Sequence, residues 1–412
     1  MTKHIAILHY ASPPTIGGVE SMIEHQARGL MKLGYAVRVI SGKGTPFDPG
    51  IDVHINPLFG STHPDVLAVK TELDAAHIST HFEALVERQT EALREALVDC
   101  DRCIVHNVLS LNKNLPLTAA LARLLKTQPL RLIAWNSDFA WTNPQYQPEL
   151  HPGYPWELLR QVWPGVYYVT ISEARRDEMA ALYAIPPESI QVVTPGIDPA
   201  RFFRWTPQTY TLIQDLRLLD ADGLMLLPAR LTRRKNIALA LHVLAAVRAQ
   251  SGCDYRLIVT GPPGPHNPSN HSYLTELLNL RAALNLEDSA HFLYEQGSDG
   301  SPFLPDDDMV AGLYQIADAL FFPSTQEGFG IPILEAGLAG IPVFCADIPP
   351  LRTTGGADAT YFDPTGESPE SIATRILKNL EASATVRLRR RVRHTFRWDA
   401  LIRDQLIPLL ED

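Results

Sequence analysis

Two glutamates enclose a glycine-rich segment late in the chain. Glu327 and Glu335 lie on either side of Gly-Phe-Gly-Ile-Pro, and the strand-like run 319–323 comes just before them. In α/β proteins a strand, a glycine loop and a helix in this order hold phosphate at the helix N-terminus. Ionised carboxylates only accept hydrogen bonds, so this pair suits a ligand with hydroxyl groups at both ends. A nucleotide sugar, with ribose at one end and hexose at the other, is such a ligand.

The residues between the two glutamates favour the same arrangement. Gly328 and Gly330 let the backbone come close to a ligand and adopt φ values that a Cβ would forbid. Pro332 suits the first turn of a helix, where its missing N–H costs nothing. Glu335 then lies about one turn into the helix, on the ligand side. Two solvated glutamates at a helix start are the alternative, and the glutamate spacing alone would favour it.

The whole pattern resembles the signature of the retaining GT-B glycosyltransferases, specifically those of glycosyltransferase family 4. The resemblance covers nearly the whole chain and is strongest from 224 to 365. It implies transfer of a hexose from a nucleotide-diphospho-sugar to a hydroxyl acceptor, with no metal and no other cofactor. It also implies that Glu335 accepts from ribose hydroxyls and that Glu327 binds hexose hydroxyls. The residues implied at the donor are Gly17, Gly18, Gly261, Gly328, Phe329, Gly330, Ile331 and Glu335.

A basic segment follows the first strand predicted in the second half of the chain. Residues 229–236 read Ala-Arg-Leu-Thr-Arg-Arg-Lys-Asn, and they resemble the family's Gly-Arg-Leu-…-Lys-Gly segment. By that match Arg230 and Lys235 hold the phosphates, and with His106 and Glu327 they form the implied catalytic group. A guanidinium holds phosphate oxygens in a fork, whereas an ammonium acts as a compact point charge. A solvated basic loop is the alternative, which the segment by itself would favour.

Gly17 and Gly18 stand between the first predicted strand and the first predicted helix. Glycines at a helix N-terminus can offer backbone N–H groups to an anion. They resemble the family's Gly-Gly loop, which faces the donor phosphates and the acceptor. Taken alone the pair is a weak signal, because turns use glycine widely.

Two strand ends in the first half carry polar residues. His106 and Asn107 follow the Ile104-Val105 strand, where the family has a histidine near the donor sugar. Asp138 follows the next strand and matches the family's Thr-x-His-Asp, although Ser137 stands where histidine is usual. Asn107 and Asp138 are therefore candidates for the acceptor side. A structural histidine is the alternative for His106.

The segment 139–165 is rich in aromatic residues and proline and is the least family-like part of the chain. Aromatic faces stack well on sugars, and in the family the N-terminal domain holds the acceptor. Trp141, Tyr154 and Trp156 are therefore predicted to shape an acceptor pocket. A packed surface loop is an equally good interpretation.

Bulk properties limit the other functions. The chain has 412 residues, a net charge of −10 and a pI of about 5.8, which argues against a general nucleic-acid binder. The four cysteines of the chain suit a reducing compartment.

No metal site is evident among the cysteines. Cys100 and Cys103 have C-x-x-C spacing but lack a second pair or a histidine at metal-site spacing. The acidic run 306–308 precedes a predicted helix and is interpreted as its N-terminal cap, so no metal site is predicted.

The alternation of apolar runs and helical patterns predicts an α/β protein with two Rossmann-like doubly wound domains that face each other across a cleft. The N-terminal, acceptor-binding domain is predicted over 1–198, and the C-terminal, nucleotide-sugar-binding domain over 199–390. A last helix is predicted from 384 to 410, and the resemblance implies that residues 391–412 pack back on the N-terminal domain. The proline-punctuated stretch 194–209 is predicted to be the interdomain linker.

Location and partners follow from what the sequence contains. A strand-like run begins at Ile5 with no targeting segment before it, and no apolar run reaches the roughly 18 residues that span a bilayer. We therefore expect a cytoplasmic monomer or homodimer that acts on a small molecule, a glycan or a glycolipid. The run 387–393 is rich in arginine, and such a run usually forms a solvated helix face. Weak docking to an anionic membrane is the alternative interpretation.

Other enzyme classes fit less well. A NAD-dependent dehydrogenase needs G-x-G-x-x-G after a strand, and no strand here has it. A glycoside hydrolase needs two carboxylates across the scissile bond, whereas Glu327 and Glu335 are expected on one side of the ligand. A GT-B nucleotide-sugar epimerase and a non-catalytic nucleotide-sugar-binding protein remain as alternatives.

Overall fold

The computed structural model describes residues 3–128, 130–263, 269–297 and 301–411. The chain forms two compact units. The N-terminal unit comprises Met1–Ile197 with Phe396–Asp412, and the C-terminal unit comprises Asp198–Thr395. Each unit has its own parallel sheet.

The N-terminal unit is built on a seven-stranded parallel sheet in the order β3-β2-β1-β4-β5-β6-β7. Its central strands are buried on both faces, so they appear in the sequence as unbroken apolar runs and not as alternating ones. The strands are β1 His4–His9, β2 Ala36–Ser41, β3 Asp52–Ile55, β4 Arg102–His106, β5 Arg131–Asn136, β6 Val166–Thr170 and β7 Ile190–Val192. The helices are α1 Gly18–Lys32, α2 Pro64–Asp74, α3 Thr80–Ala96, α4 Leu115–Leu124 and α5 Glu173–Tyr183.

The C-terminal unit has a six-stranded parallel sheet in the order β10-β9-β8-β11-β12-β13. Apolar clusters cover both faces of this sheet. Its strands are β8 Gly223–Leu227, β9 Tyr255–Val259, β10 Ala290–Phe292, β11 Ala319–Phe322, β12 Val343–Ala346 and β13 Thr360–Phe362. Its helices are α6 Pro199–Phe203, α7 Pro207–Asp215, α8 Ile237–Ser251, α9 Ser269–Ala283, α10 Asp307–Ile316, α11 Ile331–Ala339, α12 Pro349–Gly355, α13 Pro369–Ala382 and α14 Ala384–Thr395.

The strand order of each sheet reverses once, and ligands of α/β proteins bind at such reversals. In the N-terminal unit the reversal lies between β1 and β4, which precede the Gly17-Gly18 loop and Asn107. In the C-terminal unit it lies between β8 and β11, which precede the basic segment 229–236 and the segment 327–330. The predicted residues of each unit are thus grouped by topology at one edge of its sheet.

The predicted last helix is interrupted. Helix α14 ends at Thr395, and α15 Trp398–Leu401, a π-helical turn Ile402–Leu406 and α16 Ile407–Glu411 follow. Between α14 and α15 the chain is extended and forms a short bridge with Ile197. Ile197 N donates to Phe396 O at 2.7 Å, and Trp398 N donates to Ile197 O at 3.1 Å. Trp398 is buried against the N-terminal core.

The predicted linker 194–209 contains the boundary between the two units, after Ile197, and half of its residues lie in α6 and α7. Pro199 and Pro207 occupy the first turns of α6 and α7 and do not break a regular structure. Asp198 and Thr206 cap these helices by accepting hydrogen bonds from first-turn N–H groups.

The arginine-rich run lies in α14, and several of its side chains point inward. Arg393 is buried and donates to the buried Asp318 at 2.8 Å. Arg389 donates to Ala317 O, at the C-terminal end of α10, and Arg390 donates to Tyr255 Oη at 2.7 Å. These three arginines therefore do not form the solvated face that such a run usually indicates. In the described part of the chain no helix combines the length and the apolar character needed to cross a bilayer.

Replacing Asp318 by Asn should destabilise the protein by about 3 kcal/mol, because the charge of Arg393 would stay in the interior without its partner. Urea unfolding of the full chain, followed by far-UV circular dichroism, measures the change. The control is Asp347→Asn, which removes the partner of the exposed Arg352 and should leave the unfolding midpoint close to that of the wild type. Equal midpoints for the two variants would contradict the importance of the buried pair.

Candidate functional site

An ion pair between two neighbouring loops is central to the C-terminal site. Lys235, which ends the loop after β8, contacts Glu327 Oε1 in the loop after β11. Both side chains are about nine-tenths buried. Arg234 Nη1 lies 3.4 Å from the other carboxylate oxygen, and the Lys235 ammonium lies 4.9 Å from the ring centroid of Phe322. The pair therefore links the basic segment to the glycine-rich segment.

The environment of Lys235 changes its proton affinity. Burial lowers the pKa of Lys235 from its ordinary value, and the hydrogen bond to Glu327 opposes that shift. Arg234 lowers the same pKa further through charge repulsion. The carboxylate of Glu327 thus favours the charged form of an ammonium that the interior disfavours.

The start of α11 is shaped for close approach by another molecule. Gly330 is its N-cap residue, with a left-handed φ of 96°, and a Cβ there would come 2.5 Å from Leu351 Cδ2. A Cβ at Gly328 would meet nothing within 4 Å, so packing within the protein does not require glycine there. Phe329 and Ile331 are exposed. The positive end of the α11 dipole is thus next to an accessible backbone that packing does not crowd at Gly328.

Gly261 has a packing role. A Cβ on it would lie 2.5 Å from Ala229 O and 2.7 Å from Arg230 Cα, both of them backbone atoms that cannot move away easily. The loop after β9 is joined to the loop after β8 by the hydrogen bond from Leu231 N to Pro262 O, at 2.9 Å. The backbone of Arg230 is therefore held in place. Its exposed side chain has no ion pair with any residue that the structure describes.

Glu335 has a partner that the sequence did not indicate. Its Oε2 accepts a hydrogen bond of 2.7 Å from the hydroxyl of Tyr314, which lies in α10. Tyr314 belongs to an apolar helical stretch, and no spacing or motif in the sequence links it to Glu335. Only the packing of α10 on α11 brings the two side chains together.

In the N-terminal unit the glycine pair begins α1 as predicted. Gly17 is the N-cap residue with an extended backbone, and a Cβ on it would come 2.1 Å from Glu20 Oε2. A Cβ on Gly18 would meet nothing within 4 Å, and Ile16 beside the pair is fully exposed. The loop is therefore accessible, and one carboxylate folds back close to it.

His106 lies in the interior of the N-terminal unit, with 0% of its surface exposed. Its Nε2 is 2.9 Å from Gln26 Oε1, and its backbone carbonyl oxygen is 2.8 Å from His9 Nδ1. Burial holds the pKa of His106 well below its ordinary value, and burial lowers the pKa of His9 to about 4. Both rings are neutral near pH 7. No side-chain atom of His106 is accessible in this structure, so His106 cannot make the predicted contact with the donor sugar without a rearrangement.

Asn107 and Asp138 differ in their surroundings. Asn107 is buried in a left-handed turn with φ 57°, and its Oδ1 accepts from Ser137 N at 2.7 Å. Those contacts join the ends of β4 and β5, which is a structural role. Asp138 is half exposed and accepts from Arg175 Nη2 at 3.3 Å. Asp138 is thus the more accessible of the two acceptor candidates.

The aromatic segment 139–165 folds into short 3₁₀ turns on the N-terminal core. Trp156 is only 3% exposed, and its carbonyl oxygen accepts from Trp141 Nε1 at 3.1 Å. Tyr154 is exposed, and its ring packs edge-on against Phe82 at 5.8 Å. For Trp156 the packing interpretation therefore fits the structure, whereas Tyr154 remains accessible to a ligand.

The acidic run 306–308 behaves as a helix cap. Asp306 Oδ1 accepts from Met309 N at 2.8 Å, at the start of α10. Among the residues with described coordinates, no group of three or more histidine, cysteine, aspartate or glutamate side chains is arranged to hold a metal ion.

Two family models match the chain, one in each half. The model described as "Glycosyltransferase Family 4" matches residues 16–201, and the model described as "Glycosyl transferases group 1" matches residues 211–395. The two matches follow one another along most of the sequence. The second includes both glutamates and the basic segment.

Curated relatives match the chain over different lengths. A D-inositol 3-phosphate glycosyltransferase of Saccharomonospora viridis is 30% identical over 182 residues, which are 44% of this chain and 39% of the relative. An MMP alpha-(1->4)-mannosyltransferase of Mycolicibacterium hassiacum is 24% identical over 387 residues, 86% of this chain and 83% of the relative. A mannosylglucosylglycerate synthase of Petrotoga mobilis is 26% identical over 372 residues, 84% of this chain and 82% of the relative. The chain thus matches less than half of the first relative and most of the other two.

Replacing Glu327 by Gln should tighten the binding of a nucleoside diphosphate about fivefold at pH 7, because an anion would no longer compete for Lys235. Isothermal titration calorimetry measures the dissociation constant. The matched control is Glu276→Gln, which removes the same charge from the exposed partner of Arg233 and should leave the affinity unchanged. Weaker binding in Glu327→Gln would contradict the competition.

Gly261→Ala should weaken the binding of the same ligand about tenfold, because the new methyl group would push the backbone at Ala229 and Arg230 away from its position. Gly337→Ala is the control, since a Cβ there meets nothing within 4 Å and alanine favours the α11 helix. Titration of both variants, with their melting temperatures, separates the two effects. Unchanged affinity in Gly261→Ala would show that the loop contact does not position the site.

Proposed function

Because the chain belongs to the GT-B glycosyltransferases of the family 4 type, we propose that it transfers a hexose from a nucleoside-diphospho-sugar to an acceptor hydroxyl. The proposal includes retention of configuration at the anomeric carbon and independence from metal ions. The observation that supports it best is the convergence of Arg230, the Lys235–Glu327 pair and the start of α11 at one edge of the C-terminal sheet.

The leaving group explains why cations are needed at this edge. The reaction breaks the bond between the anomeric carbon and a diphosphate oxygen, and negative charge grows on that oxygen as the bond lengthens. Arg230 and Lys235 stabilise this charge, and the positive end of the α11 dipole adds to their effect. The leaving phosphate oxygen takes the proton of the acceptor hydroxyl as the new bond forms. No protein carboxylate acts as a nucleophile in this scheme.

The ion pair gives Glu327 two roles in sequence. Before the donor binds, Glu327 holds Lys235 in place and supports its charge. The donor diphosphate then competes for the ammonium, because two phosphates carry more negative charge than one carboxylate. Glu327 is left with acceptor oxygens for the hexose hydroxyls beside Phe329 and Gly330.

Glu335 recognises the other end of the donor. Its carboxylate is partly exposed, and one of its oxygens is occupied by Tyr314. The other oxygen accepts from the ribose hydroxyls, which are common to all nucleoside diphosphates. Glu335 therefore contributes mainly to the affinity for the nucleotide, and Arg230 and Lys235 contribute mainly to the rate.

The choice of substrates to test follows from the relatives. The two relatives that align over most of their length have mannosyl transfer or a mannosyl product in their names. Mannose is therefore the first hexose to test, followed by glucose, each carried on UDP, GDP and ADP. The acceptor is a molecule with a free hydroxyl group, either a small molecule, a glycan or a glycolipid.

Thermal stabilisation by this panel, with and without EDTA, is the direct test. A ligand that binds only the folded protein raises the melting temperature by mass action. We expect one nucleotide class to raise it equally in the presence and absence of EDTA. Failure of every nucleotide and nucleotide sugar to stabilise the protein would contradict the proposed function, and a shift abolished by EDTA would contradict metal independence.

Two substitutions should separate affinity from rate. Lys235→Ala should lower turnover about a hundredfold, because it removes a cation from the leaving group. Glu335→Ala should instead weaken nucleotide binding about tenfold. Arg233→Ala removes a neighbouring exposed cation and serves as the control, with kinetics near those of the wild type. Kinetics equal to the wild type in both Lys235→Ala and Glu335→Ala would exclude this assignment of the site.

A further inference from the structure

We propose that Tyr314 is a positioning residue that orients the Glu335 carboxylate toward the ribose of the donor. The inference rests on the proposed function, because it assumes that Glu335 binds a nucleotide. It adds a residue from a different helix, and its effect should depend on the ribose hydroxyls alone.

The geometry of the pair is specific. The Tyr314 hydroxyl donates to Glu335 Oε2 at 2.7 Å and lies 3.4 Å from the carbonyl oxygen of Pro332. Both acceptors belong to α11, so the phenol of α10 contacts α11 at two points one turn apart. The shorter bond goes to the carboxylate, and hydrogen bonds to an ionised acceptor are the stronger kind.

Burial makes the tyrosine a fixed point. Tyr314 is 4% exposed and belongs to the apolar cluster that also contains Ile333 and Ala336, two residues of α11 on either side of Glu335. A ring packed among these side chains cannot change rotamer without opening the cluster. Burial and the adjacent carboxylate both raise the pKa of Tyr314, so its hydroxyl keeps its proton at neutral pH and can donate a hydrogen bond.

The two oxygens of the Glu335 carboxylate therefore have separate roles, one toward the protein and one toward the ligand. Oε2 is directed toward the interior by the phenol, while Oε1 has no hydrogen-bond partner among the described residues. A glutamate on a helix surface otherwise samples several rotamers, and fixing it before the ligand arrives avoids part of that entropy loss on binding. The free oxygen then accepts from the ribose without a prior rearrangement.

A purely structural role is the alternative, since a buried hydroxyl that joins two helices also stabilises the fold. The two roles differ in what they do to ligands. A positioning role affects only ligands whose ribose hydroxyls reach Glu335. A structural role either leaves binding unchanged or weakens all nucleotides alike.

The test compares two ligands in Tyr314→Phe. The first is the nucleoside diphosphate that stabilises the wild type most, and the second is its 2′,3′-dideoxy analogue. By calorimetric titration we expect the variant to bind the nucleoside diphosphate about tenfold more weakly than the wild type does. The dideoxy analogue should bind both proteins equally. The double variant Tyr314→Phe/Glu335→Ala should bind the nucleoside diphosphate only slightly more weakly than Tyr314→Phe alone.

Tyr255→Phe is the matched control, because this equally buried tyrosine also makes a side-chain hydrogen bond, to Arg390 at the opposite end of the sheet. It should lower the melting temperature without changing either affinity. Equal losses for the two ligands in Tyr314→Phe, or no loss for either, would overturn the proposal while leaving the proposed function intact. Absence of nucleotide binding by the wild type would overturn both.

Discussion

A buried lysine needs a counter-charge, and this requirement organises the C-terminal unit. Lys235 belongs to the loop after β8, and Glu327 belongs to the loop after β11, nearly a hundred residues later in the chain. The two loops meet only because β8 and β11 are neighbours at the reversal of the strand order. Once paired, they fix the glycine-rich start of α11 beside the basic segment. The sheet topology, the charge balance and the exposed helix start are therefore parts of one arrangement.

The elements near this arrangement could be predicted from the sequence because their signals are local. A strand buried on both faces is an unbroken apolar run, and the start of α11 carries its glycines and Pro332 in a fixed order. The Tyr314–Glu335 bond could not be predicted, because it depends on how two helices pack. The helices α6 and α7 near the predicted linker were missed for a related reason. Proline ends one helix but also begins another, and only the capping contacts of Asp198 and Thr206 distinguish the two.

Residues at strand ends in the N-terminal unit show a second limit of sequence reasoning. His106 and Asn107 occupy the expected strand end, yet both are directed into the protein and both have internal partners. Asp138, at the end of the adjacent strand, is half exposed. Strand-end position identifies the correct edge of a sheet, but the conformation of the turn that follows, such as the left-handed backbone of Asn107, decides which side chains are buried. Accessibility therefore had to come from the structure.

The two compact units are not consecutive halves of the chain. The N-terminal unit is completed by Phe396–Asp412, whose side chains Trp398 and Leu401 pack beside Gly196 and against the apolar core. The C-terminal unit is continuous from Asp198 to Thr395. A ribosome delivers residues in order, so the second unit has all of its own sequence before the first unit has its last segment. During synthesis the N-terminal unit therefore cannot complete its core until the whole C-terminal unit has been made. Until then, the apolar surface that Phe396–Asp412 covers stays exposed.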